Sequence, residues 1–207
     1  ADGLVFWGGC EADNPPSLRA GRPQVALDPS IEEEWFHPGP ADPDLARALR
    51  GPDGNAVALI YVGRLEPVQQ VDRLIRATAA ATKGGYDVHL SLVGDGSQRE
   101  SLAQLAEDIV PGRVSFHGFQ PRHRIADFLR AADIFMLYSR IENHPISLKE
   151  AVACGTYALA PRLGRVPDLL SSSESGWAIT PSDQAALDQA LRETLSRQAW
   201  DRPSGSA

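Results

Sequence analysis

From Val57 onward the chain repeats one pattern: a short apolar run suited to a strand, then a stretch whose apolar residues recur with helical spacing. The runs are VALIYV (57–62), VHLSLV (88–93), RVSFHG (113–118), DIFMLY (133–138) and YALA (157–160). Val71, Leu74, Ile75, Thr78 and Ala79 fall at i, i+3, i+4, i+7 and i+8. Ile125, Phe128, Leu129 and Ala132 keep the same spacing, as do Leu187, Ala190, Leu191, Thr194 and Leu195. Strands alternating with helices in this way predict successive βαβ units, hence an α/β, Rossmann-like doubly wound parallel sheet.

At 207 residues, 43% hydrophobic and 23% charged, the chain has enough apolar surface for one globular domain with extra at its ends. Residues 1–54 are rich in glycine and proline and hold no long periodic segment; they read as a strand followed by a linker. Residues 55–198 form the body, and 199–207, ending in DRPSGSA, read as a flexible tail. A net charge of −7 with no basic run argues against a nucleic-acid partner. Cys10 and Cys154 lie far apart without metal-ligand spacing, so two free thiols and a reducing, cytoplasmic compartment are expected. The apolar start GLVFW is too short for a transmembrane segment and lacks the basic flank of a secretory signal. The opening on Ala1 reads as a fragment or a processed piece.

In a doubly wound sheet, ligands bind beyond the carboxyl ends of the strands, so the loops there are where chemistry is expected. After VALIYV comes GRLEPVQQ, where Gly63 permits a tight exit and Arg64 can reach the crevice. After VHLSLV comes GDGSQRE, where Gly94 and Gly96 admit backbone close to a ligand and Ser97 suits a helix cap. After DIFMLY comes SRIENHPISLKEAVACGT. Pro145 suits the first turn of a helix and Gly155 its stop, which predicts a helix over about 145–154. Its N-terminus, with unpaired N–H groups and partial positive charge, is a seat for an anion. Glu142 falls just before that seat and Glu150 about one and a half turns inside the helix. Ionised carboxylates only accept hydrogen bonds, so a ligand touching all three features carries phosphate and hydroxyls, as a sugar nucleotide does.

The segments YVGRLEPVQQVDRLIRA, LVGDGSQRESL, RVSFHGFQP and ENHPISLKEAVACGT, in this order, resemble the C-terminal, nucleotide-binding half of the retaining GT-B glycosyltransferases, the group 1 or family four type. ALDPSIEEEWFHP resembles the segment joining the two halves of such enzymes, and ADGLVFWGG the last strand of the N-terminal half. The resemblance implies that Arg64 contacts the donor diphosphate and that Glu142 lies by the donor sugar, making these two the catalytic candidates. It implies that Glu150 holds the ribose, that Asn143, His144, Pro145 and Ile146 line sugar and phosphate, and that Ser115, Phe116 and His117 lie near the base. Gly63, Gln69 and Gly94 complete the implied donor site. Front-face attack with the leaving diphosphate as base is implied, with no enzymic nucleophile, no metal and no cofactor. The implied partners are a nucleotide-sugar donor, an acceptor that the sequence does not identify, and an N-terminal half or a partner chain supplying it.

Two departures matter. The family's usual lysine is Gln69 here, followed by Gln70 in place of glycine, so one cation is missing unless Arg162, Arg165 or another group replaces it. The glycine usual after the first glutamate is Asn143. Taken alone, Arg64 also reads as a surface arginine, and Glu142 and Glu150 as solvated helix-end charges. His117 and His144 read equally as structural, and His37, His89 and His123 show no ligand spacing. Trp177 reads as core and Glu32 to Glu34 as a solvated helix start. Three functions therefore stand: the donor-binding part of a retaining glycosyltransferase, a degenerate sugar-nucleotide-binding module, and a sugar-nucleotide epimerase or hydrolase on the same architecture. The second follows from Gln69. The third lacks an evident acid and base pair, and a dehydrogenase lacks the G-x-G-x-x-G opening.

Overall fold

The computed structural model describes residues 30–142, 145–170, 176–179 and 183–200, and the backbone of two strands nearer the start, β1 (Leu4–Trp7) and β2 (Gln24–Leu27). Those two pair in parallel as a sheet of their own. The body is a six-stranded sheet of β3 (Val57–Val62), β4 (Val88–Val93), β5 (Val114–Gly118), β6 (Ile134–Met136), β7 (Tyr157–Pro161) and β8 (Gly176–Ile179). Its order is β5-β4-β3-β6-β7-β8, every neighbouring pair parallel. The doubly wound expectation is met. Chain progression reverses between β3 and β6, and a crevice opens there beyond the strand ends.

The helices are α1 (Pro43–Leu49), α2 (Val71–Lys83), α3 (Arg99–Ile109), α4 (Arg122–Ala131), α5 (Ile146–Ala153), α6 (Val166–Leu169) and α7 (Gln184–Arg197). Their apolar stripes are the ones the spacing marks. On α2, Val71, Leu74, Ile75 and Thr78 are fully buried, and the Thr78 hydroxyl donates to the Leu74 carbonyl at 2.9 Å, which satisfies the one polar group in the stripe. Trp177 packs partly buried against the core, as read from sequence.

Three stretches differ from the reading. The linker contains α1, whose first turn is capped by Asp42, accepting from the Asp44 and Leu45 N–H groups at 2.9 and 3.2 Å, with Pro43 behind it. Leu49 is buried. Arg50, just after it, forms a two-pronged pair with Asp133 at 2.7 Å on each prong, and Asp133 also accepts from the Ala58 N–H at 2.8 Å. The packed body thus begins before residue 55. Seven residues are too few for a periodic signal, so only the capping residues foreshadow α1. At the far end, Ala199 and Trp200 pack partly buried on the core, whereas 201–207 lie outside the described residues. Glu32 to Glu34 belong to a turn, with the Glu32 carbonyl accepting from the Trp35 and Phe36 N–H groups at 3.0 Å, and Phe36 enters the core.

Candidate functional site

The crevice at the switch point is a cleft of about 480 Å³, open between the β3 loop on one side and the β6 loop with α5 on the other. Gly63, Arg64 and Gln69 line the first wall; Glu142, Pro145, Ile146, Ser147 and Glu150 line the second. The sequence expectation brought most of these together, and the structure adds Tyr61, Arg122, Ile125 and Leu137.

The first wall is built by close backbone approach. The Gly63 N–H donates to the Val93 carbonyl at 3.0 Å, and the Leu65 N–H to the Asp95 carbonyl at 2.9 Å, so the loops after β3 and β4 continue side by side past the sheet. A Cβ on Gly94, whose φ is +137°, would stand 1.9 Å from the Gly63 carbonyl oxygen; one on Gly96 would stand 2.5 Å from that of Leu65. The approach these glycines permit is of loop to loop, where the sequence reading had a ligand. Ser97, expected to cap α3, instead gives its hydroxyl (2.7 Å) and N–H (3.0 Å) to the Glu66 carboxylate, lowering that group's pKa and tying the two loops again. Tyr61 is fully buried and donates to the Arg64 carbonyl at 2.8 Å. Burial foremost, then the neighbouring Glu142 carboxylate, hold its phenol well above the usual range. The Tyr61 hydroxyl lies where a Cβ on residue 63 would sit, 2.6 Å away, which is a second reason for glycine there.

The two walls meet through Ser139. Its buried hydroxyl lies 3.1 Å from Gln69 Oε1 and 3.3 Å from Glu142 Oε2, one proton shared between two acceptors. The Arg140 N–H donates to the Val68 carbonyl at 2.9 Å beside it. The helix expected from 145 to 154 is α5, with Pro145 and Cys154 as its flanking residues; its N-terminal turn lines the cleft, and Pro145 gives it no side-chain cap. Glu150, on the inner side of α5, is nearly buried. Burial raises its carboxyl pKa, against the pull of Arg122, whose Nη2 donates to Oε1 at 2.6 Å. Arg122 also pairs through Nε with Glu32.

Other candidates fall elsewhere. Ser115 turns to the opposite end of the sheet, bonded to His89 Nε2 at 2.8 Å and lining a separate depression with Arg47 and Gly51. The His117 ring packs edge-on against Phe128 at 4.9 Å, with Nε2 3.0 Å from the Ser91 hydroxyl. Phe116 lies under the Arg99 guanidinium, 5.8 Å from its ring centre. None of these three lines the cleft, because side chains alternate across a strand and each is engaged by the helix or strand beside it. Asn143 and His144 lie outside the described residues. Neither Arg162 nor Arg165 supplies a second cation to the cleft: Arg165 pairs with Asp168 at 2.8 Å, and the additional arginine in the lining is Arg122. Cys154 is a buried free thiol, whereas Cys10 lies outside the described residues. Among the described residues no group of three His, Cys, Asp or Glu side chains could hold a metal, and no helix is long and apolar enough to cross a membrane.

The family model described as "Glycosyl transferases group 1" matches residues 45–203. The chain belongs to that family. D-inositol 3-phosphate glycosyltransferase of Saccharomonospora viridis is 30% identical over 231 aligned positions, which cover 98% of this chain and 53% of the relative. This group 1 chain thus spans about half the length of the curated relatives it matches. Among solved structures, sucrose-phosphate synthase from Thermosynechococcus elongatus superposes with a TM-score of 0.72 at 26% identity, over 87% of this chain and 45% of that one. The C-terminal domain of a group 1 glycosyl transferase from Francisella tularensis superposes with a TM-score of 0.69 at 18% identity, over 83% and 91%. Its fold is accordingly that of such a C-terminal domain, in the GT-B architecture.

Proposed function

We propose that the cleft binds the nucleoside diphosphate part of a nucleotide-sugar, and that this chain is the donor-binding part of a retaining glycosyltransferase. The observation that carries the reading is the convergence of three features on one cleft: the N-terminus of α5, the Arg64 wall and the nearly buried Glu150 carboxylate. The first two favour phosphate, and the third accepts from hydroxyl donors. In this reading Arg64 stabilises the charge that develops on the leaving diphosphate, Glu142 attends the donor sugar and Glu150 takes the ribose hydroxyls. An acceptor hydroxyl attacks the anomeric carbon from the face the diphosphate leaves; the C–O bond to phosphate breaks as the new one forms, and the departing phosphate oxygen takes the proton. The compensating charge comes from Arg64 and backbone N–H groups, with no metal. We assign the acceptor site to the other half of such an enzyme, and a cytoplasmic location belongs to the same reading.

Calorimetric titration with UDP, GDP and ADP tests it. Saturable binding of one of them, weakened roughly 10- to 100-fold by Arg64→Ala and by Glu150→Ala, is the expected result, the range following from the loss of a charge-assisted hydrogen bond. Gln69 favours the other reading, a module that keeps the fold without transfer: its amide is neutral where the family carries a lysine, and it is engaged by Ser139. Absence of binding of all three at millimolar concentration would point to a site that Gln69 has disabled, in a module that keeps the fold alone.

A further inference from the structure

Arg122 opens α4, where a positive charge faces the positive end of the helix, an unfavourable position unless carboxylates answer it. Two do. Nε pairs with Glu32 in the turn that precedes the body, and Nη2 pairs with Glu150 Oε1 inside the cleft at 2.6 Å. The guanidinium also lies over the Phe36 ring, 5.2 Å from its centre, and Phe36 is itself locked in the core. The side chains differ sharply in exposure: 41% for Arg122, 49% for Glu32, 4% for Glu150. The arginine therefore connects a solvated anchor to a carboxylate withdrawn from water. Glu150 Oε2 accepts no hydrogen bond from a described residue.

We propose that Arg122 is a positioning residue of the cleft: held by Glu32 and Phe36, its planar fork fixes Oε1 of Glu150 and keeps Oε2 as an acceptor for the vicinal hydroxyls of a bound ribose. The inference rests on the donor reading above. Its physical logic is that a carboxylate so withdrawn from water reverts to the neutral acid unless a cation opposes this, and a protonated oxygen becomes a donor that no longer accepts from a hydroxyl. Burial already raises the Glu150 pKa with Arg122 in place; removing the guanidinium raises it further. The other charged groups around Glu150 do not replace Arg122. Glu32 adds like charge, Cys154 on the same helix is a neutral thiol, and Arg165 and Asp168 of the adjoining α6 pair with each other. Tyr157 of β7 is a phenol whose pKa is raised by burial. Across the cleft stand Arg64 and the neutral Tyr61, and Glu142 lies further along the same wall as Glu150.

The test follows the carboxyl ¹³C resonance of Glu150 with pH in the wild-type chain, Arg122→Gln and Arg122→Lys, and measures UDP, GDP and ADP binding by calorimetry at pH 6 and pH 8. The expected result is an upward move of the Glu150 midpoint in Arg122→Gln. Each pH unit of that move weakens diphosphate binding about tenfold below the midpoint and leaves it nearly intact above. Arg122→Lys, which retains the charge, should stay closer to wild type than Arg122→Gln does. An unmoved midpoint in Arg122→Gln, or an affinity loss equal at both pH values, would overturn the positioning role while leaving the donor reading in place. A wild-type chain that binds none of the three diphosphates would remove the donor reading, and with it the ribose for which Glu150 is held.

Discussion

The two walls of the cleft are built on different principles. The β3 wall is held chiefly by backbone: Gly94 and Gly96 let two loops approach so closely that a Cβ on either would strike the Gly63 or Leu65 carbonyl, and hydrogen bonds from the Gly63 and Leu65 N–H groups close the seam. The opposite wall is held by side chains, with Ser139 on Glu142 and Arg122 on Glu150. A backbone seam is insensitive to pH and all-or-none under substitution. A wall set by carboxylates responds to protonation and to the charge of its neighbours. In the proposed reading, the diphosphate meets one rigid side and one electrostatically adjustable side.

The sharpest break of this contrast is Gly94→Ala. Its Cβ would collide with the Gly63 carbonyl in a left-handed backbone that alanine rarely adopts, so a loss of about 3 kcal/mol or more in urea unfolding is expected, with diphosphate binding lost as well. A loss below about 1 kcal/mol would show the seam to be soft and the comparison misdrawn.

The second wall should answer to pH. The folded-state pKa of Glu150 is raised, chiefly by burial, so its contribution to stability is full below the ordinary carboxylate pKa and is lost as pH rises through the raised value. Glu150→Gln removes that loss. Its melting temperature should gain on that of wild type as pH increases across this window, while its diphosphate binding falls. A constant difference between the two melting curves across pH 4 to 8 would show that Glu150 carries no such penalty.

The smallest effect concerns Gln70, the N-terminal flanking residue of α2, which sits at φ +49° and ψ +41°. Gln70→Gly relieves the strain of a side chain there but loosens the unfolded chain, for a net gain of roughly 0.5–1 kcal/mol in thermal or urea unfolding. A loss instead would mean that the Gln70 side chain makes a contact worth more than its backbone strain.

Much of the fold was legible because parallel strands and their helices write themselves as runs and periods: β3 to β7, α2, α4 and α7 lie where the apolar spacing puts them. The helix α5 was legible from Pro145 and Gly155, since proline and glycine act through local backbone geometry. The helix α1 was not, being too short for a period. In the site, Arg64, Glu142 and Glu150 reach the cleft because each stands at or just past the carboxyl end of its strand, or on the helix that follows. Ser115 and His117 do not line the cleft for a physical reason: adjacency in sequence to a rim does not decide which end or face of the strand a side chain serves, and His89, Ser91 and Phe128 engage them.

The sequence by itself determined the alternation of strands and helices, the parallel sheet, the place of the switch-point loops and the family. Those follow from local propensity and from patterns repeated along the chain. Only the tertiary structure decided that Arg122 joins Glu32 to Glu150, residues 90 and 28 positions away, and that Arg50 joins Asp133 across 83. It also decided that Gly94 makes room for Gly63. These contacts depend on which elements pack against one another, and a pairing between distant polar side chains leaves no periodic trace in the chain that carries it. The nearest local clue was an arginine at the first position of α4, a charge at the wrong end of a helix dipole until its two carboxylates arrive.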